Sequence, residues 1–138
     1  MTSLPSRGGR PLASALPLTP VLATVLALAA VLVAGAAAAQ PGDAGRGATL
    51  YQRCSGCHTI DDNDIGPKHR GVVGRKAGSL SDYAYSGQLK ASGIVWTPET
   101  LDKWLTNPQA LVPGAKMFFS VQAPQDRADI IAYLGTQK

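Results

Sequence analysis

The chain has 138 residues, 16% of them charged, and its 13 Lys and Arg against 9 Asp and Glu give a formal charge of +4 at pH 7. Cations such as Arg53, Lys68, Arg75, Lys90 and Lys116 are scattered along the chain, which excludes the clustered basic face that nucleic-acid binding requires.

Residues 1–39 read as a cleavable secretory signal peptide. Arg7 and Arg10 form a short basic region, Val21 to Val33 is apolar apart from Thr24, and Ala37-Ala38-Ala39 before Gln40 is a small-residue cleavage site. An uncleaved anchor is the competing reading, because the uncharged stretch from Pro11 to Gly42 is long enough to cross a bilayer. The dense alanines and the Ala-x-Ala ending favour cleavage. The mature chain, 40–138, would keep 11 Lys and Arg against 9 Asp and Glu, a charge of +2. Its length suits one domain with a modest core.

The first predicted helix of the mature chain is capped by Asp43 and runs through Leu50 and Tyr51 into Cys54, with Gly45 and Gly47 allowing another element to come close. Cys54-Ser55-Gly56-Cys57-His58 follows. Two thiols at this spacing, with an imidazole directly after, can bond covalently to both vinyl groups of a haem while His58 ligates its iron. A thioredoxin-like dithiol, half of a zinc site and a plain disulfide are the competing readings of a Cys-x-x-Cys pair. No strand-helix alternation surrounds Cys54, and zinc would find only His69 as a second imidazole. Covalent haem attachment is therefore the expected chemistry, and electron carriage the expected role.

Ser86 is expected to cap a second helix through Leu89 that stops at Gly93. Thr97, Pro98 and Glu99 open a third, whose Leu101, Trp104 and Leu105 share a face and which Asn107-Pro108 closes. Pro124 and Asp126 start the last, with Ile130, Ile131 and Leu134 on one side and Tyr133 beside them. The predicted class is all-α: four or so short helices and long loops wrapped around one haem. The segments from Asp61 to Arg75 and from Pro108 to Ala123 carry little helix or strand signal. Loops of this length in a small domain are normally functional or folded onto something.

Iron held by one His is either open on its far face or closed by a second side chain. Met117, His69 and the lysines are the candidates for closure. Met117 sits in Pro113-Gly114-Ala115-Lys116-Met117, a rigid turn that presents a thioether from a loop, although a lone Met is more often a core gap-filler.

Cys54-Ser55-Gly56-Cys57-His58, then Gly66-Pro67, Gly71 to Gly78, Tyr85, Trp96 and Val112-Pro113-Gly114-Ala115-Lys116-Met117 together closely resemble the class I cytochromes c of the mitochondrial and bacterial periplasmic type. The resemblance covers Gly42 to Lys138 in order. It implies one haem c held by thioethers at Cys54 and Cys57, iron ligated by His58 and Met117, and support of the imidazole by the Pro67 carbonyl. Tyr85 and Trp96 match the pair that meets a haem propionate, and Arg75 matches the buried cation near it. Gly47 and Tyr51 match positions where the first helix crosses the last, close to Tyr133.

The chain departs from the family pattern at four pocket positions. His69 stands where a leucine is usual, Trp104 where a tyrosine is common, Ala115 in place of a threonine, and Leu89 in place of a polar residue. His69 can be buried and neutral, can turn outward, or can serve as an alternative ligand. The resemblance further implies a monomeric carrier in the bacterial periplasm. It would take one electron from quinol-cytochrome c reductase or a dehydrogenase and pass it to a terminal oxidase or reductase, with no nucleic acid and no stable membrane insertion once the leader is removed. The alternatives are a peroxidase-like haem enzyme or sensor with a labile distal ligand, and a subunit of a membrane complex tethered by its leader.

Overall fold

The computed structural model describes residues 40–138, so the predicted signal peptide lies outside the described residues. Five helices follow in order: α1 (Ala44–Tyr51), α2 (Gly87–Ala91), α3 (Pro98–Thr106), α4 (Pro108–Leu111) and α5 (Pro124–Thr136). Among the described residues the only extended pairing is a single bridge between Lys76 and Val95. The predicted all-α class holds. No helix among the described residues is long and apolar enough to cross a membrane.

Asp43 starts α1 as expected, its Oδ1 accepting from the Gly45 and Arg46 amides at 2.7 and 3.0 Å. The helix is shorter than predicted: it ends at Tyr51 and passes into turns before Cys54. Its inner face crosses α5 closely enough that a Cβ on Gly47 would collide with the Asp129 carbonyl and lie 2.9 Å from the Tyr133 Cβ. The Asp129 side chain, 1% exposed, joins the crossing by accepting from the Asp43 amide at 2.8 Å, from Gln125 Nε2 at 2.9 Å and from the Arg46 guanidinium.

Ser86 caps α2 through the Leu89 amide at 3.2 Å, and Thr97 and Thr100 form a reciprocal capping box at the start of α3. Asn107 does end α3, its backbone extended at φ −162. What is corrected is the reading of Pro108 to Ala123 as a loop with little helix. The same Asn107 side chain accepts from the Ala110 amide at 3.1 Å and Pro108 supplies a preset first position, so one further turn forms at once.

Two ties fix the loops to this frame. The segment after His58 is pinned by bonds from Trp96 N to Arg75 O at 2.9 Å and from Ala77 N to Ile94 O at 2.8 Å. The segment before α5 is held by Arg127, whose guanidinium donates to the Val121 and Gln122 carbonyls at 3.0 and 2.9 Å and to Asp102 of α3 at 2.6 Å. Leu89, Trp96, Leu101, Trp104, Leu105, Ile130 and Leu134 are buried between these elements.

Candidate cofactor site

The end of α1 turns tightly, with Cys57 N and His58 N both donating to Cys54 O at 3.0 and 2.9 Å. This turn brings two thiols and an imidazole to one wall of a cavity of about 310 Å³. Cys54 is half-buried and Cys57 exposed, and the two do not pair in a disulfide. Burial pushes the Cys54 thiol above its ordinary pKa. Among the described residues no three His, Cys, Asp or Glu side chains gather to hold a metal ion.

His58 Nδ1 lies 2.7 Å from the Pro67 carbonyl. A carbonyl only accepts, so the proton belongs on Nδ1 and the lone pair of Nε2 is left for a metal. Burial also lowers the His58 pKa, which keeps the imidazole neutral. Gly66 completes the support: its amide donates to Cys57 O at 2.7 Å, and a Cβ there would run into the His58 ring, 2.6 Å from Nε2. Only glycine lets the loop close behind the imidazole.

His69 turns inward. Its ring stacks on His58 with centroids 4.1 Å apart and planes 19° apart, and its Nδ1 lies 2.9 Å from the Tyr51 hydroxyl. Burial first, then the neighbouring His58 and Arg75, push its pKa down to about 3. Arg75 is half-buried rather than buried, and it lines the cavity while donating to the Arg70 and Lys68 carbonyls at 3.0 and 2.9 Å. Tyr85 and Trp96 line the same cavity, and Trp104 packs on Trp96 with ring centroids 5.2 Å apart.

Met117 is half-buried and also lines the cavity. Its loop leaves Val112 through Gly114, whose φ of +85 is the left-handed conformation that glycine adopts without strain. Gln109 of α4, which is not among the residues singled out from the sequence, donates from Nε2 to the Ala115 and Met117 carbonyls, both at 2.8 Å, and accepts from the Gly114 amide at 3.2 Å. No local motif announces it. Around the cavity mouth stand Ile65 and Phe118, 72% and 76% exposed, with the Arg53 guanidinium 5.7 Å from the ring centre of Phe119.

This donor set fits a flat apolar ring carrying iron. One wall offers two thiols and a neutral imidazole with a free nitrogen, a loop offers a thioether, and the remaining lining is largely apolar with polar groups that include Arg75, Tyr85 and Trp96.

The family model described as Cytochrome c matches residues 44–138. Cytochrome c2 of Rhodomicrobium vannielii is 46% identical over 112 residues, spanning 78% of this chain and 90% of that protein. Cytochrome c2 of Rhodopila globiformis is 49% identical over 104 residues, 72% of this chain and 98% of its own length. The solved structure of cytochrome cH from Methylobacterium extorquens aligns with a TM-score of 0.67 at 44% identity, covering 69% of this chain and 99% of that one.

Proposed function

This chain belongs to the cytochrome c family and carries one covalently bound haem c, and we propose that it is a one-electron carrier whose haem is held by Cys54 and Cys57 and whose iron is closed by His58 and Met117. The observation that carries this reading is the pairing of His58, its Nδ1 engaged by Pro67 O at 2.7 Å, with a loop-borne thioether at Met117 in the same cavity.

Haem iron supplies reversible one-electron Fe(III)/Fe(II) chemistry when bound. The chain's own residues decide how readily it does so. Pro67 fixes the His58 ring and raises its donor strength by accepting the Nδ1 proton. The soft thioether of Met117 favours the reduced state. The apolar wall of Leu89, Leu101, Leu105 and Ile130 makes the additional positive charge of the oxidised state costly, which also raises the potential. His58 and Met117 would together hold the iron and would keep its ligands the same in both redox states, so that little rearrangement would accompany the electron. Arg75, Tyr85 and Trp96 are the polar side chains of the lining that suit a propionate.

Electrons enter and leave at the cavity mouth, where Ile65 and Phe118 give an apolar contact surface. Lys68 is paired with Asp82 at 3.0 Å, which lessens its part in steering partners by charge. We place the mature protein in the bacterial periplasm after removal of residues 1–39, as a monomer moving electrons from quinol-cytochrome c reductase or a dehydrogenase to a terminal oxidase or reductase. The role is that of a carrier and not of an enzyme.

Exposure of the reduced, haem-loaded protein to carbon monoxide tests this reading against a peroxidase-like haem enzyme or sensor. An unchanged spectrum at low gas concentration is expected of a carrier closed by Met117. Rapid formation of a carbonyl complex would reveal an open iron and overturn it.

A further inference from the structure

The loop that presents Met117 has few attachments of its own. Among the described residues, Met117 O is the only backbone group between Lys116 and Ser120 with a hydrogen-bond partner within the protein, and that partner is Gln109. Lys116 adds one side-chain tie, from Nζ to Ala84 O at 2.5 Å. Val121 N then donates to Leu105 O at 2.7 Å, which marks where the chain rejoins the core.

The Gln109 side-chain amide commits three of its four hydrogen-bonding positions to this loop. Both Nε2 protons go to carbonyls, at Ala115 and Met117, while Oε1 takes the Gly114 amide. Its base is firm, because Gln109 lies on the single turn of α4 directly after the Asn107 cap and the buried Pro108.

We propose that Gln109 is a positioning residue that latches the Met117 loop and thereby sets how readily Met117 yields the iron to an outside ligand. The inference rests on Met117 being an iron ligand. A latch of this kind acts on the equilibrium between closed and open loop, and anything that binds only the open form reports it. Replacing Gln109 removes three bonds at once. Part of that loss is recovered by water at this half-exposed site.

The test uses the haem-loaded mature chain as wild type, Gln109→Ala and Gln109→Asn, the last keeping an amide on a stem too short to reach. Imidazole is titrated into the oxidised protein while the near-infrared sulfur-to-iron band is followed, and urea unfolding is measured alongside. The expected result is a rise of about tenfold in the apparent imidazole association constant for Gln109→Ala, equivalent to about 1.4 kcal/mol. Gln109→Asn should move in the same direction, and it decides the matter if the alanine variant does not load haem. A change below about threefold in the variant that loads overturns the proposal, even if urea shows that the fold is weaker. If the wild type itself lacks the sulfur band, the ligand assignment at Met117 has failed, which is a separate result from failure of the latch.

Discussion

The Tyr51 hydroxyl and His69 Nδ1 stand 2.9 Å apart, joining α1 to the ring that lies flat against His58. Tyr51 is 5% exposed, so its hydroxyl cannot exchange this bond for one to bulk water at little cost. Tyr51→Phe should therefore destabilise the haem-loaded protein by about 1–3 kcal/mol, the range for a buried polar group left without its partner. Tyr51→Phe combined with His69→Leu removes both halves of the pair and should cost less than the two single changes added together. A double-mutant cycle by urea unfolding checks this, and strict additivity would show that the pair is not coupled.

Gly66 and Gly56 offer a contrast within one motif. A Cβ on Gly66 would strike the His58 ring, while nothing lies within 4 Å of the Cβ position at Gly56. Gly66→Ala is expected to cost about 1–3 kcal/mol by overpacking and to change the visible spectrum, because the ring it displaces is the proposed iron ligand. Gly56→Ala should leave the spectrum intact. Spectra of the two loaded variants, recorded side by side, make the comparison.

Acid should weaken the α1–α5 crossing through Asp129. The Asp43 amide, followed by Gln125 and Arg46, holds the Asp129 carboxyl below the usual carboxylate range. Near pH 4 the folded chain therefore binds fewer protons here than the unfolded chain does. The contribution of Asp129 is complete above the unfolded pKa of about 3.9 and is lost as pH falls through the lower folded value. Asp129→Asn should be less stable than wild type at pH 7, with the difference shrinking below about pH 4. Thermal unfolding from pH 2 to 7 checks it, and a gap that stays constant across that range would remove Asp129 as the cause.

Much of the frame was legible because its signals are local. Asp43, Ser86 and Thr97 each cap the helix expected of them, since a cap is a contact between a side chain and an amide two or three residues away. The Cys54 to His58 motif and Gly66-Pro67 likewise fix their own geometry over a few residues. The further turn of α4 was missed because Asn107 both ends one helix and begins the next. Gln109 was missed for a different reason: its partners are backbone groups of a folded loop, and no residue type in the sequence marks a carbonyl as a partner. The direction of His69 depended on Tyr51, distant in sequence, and on stacking against His58, neither of which a pattern of residue types contains.

The central claim is that the iron lies between His58 and Met117. A redox titration with simultaneous near-infrared spectra, on the loaded wild type and on Met117→Ala, tests it most directly. A sulfur-to-iron band is expected in the oxidised wild type, with its loss in the variant and a fall in potential of more than about 100 mV, some 2.3 kcal/mol for one electron. A variant that keeps both the band and the potential of the wild type would contradict it.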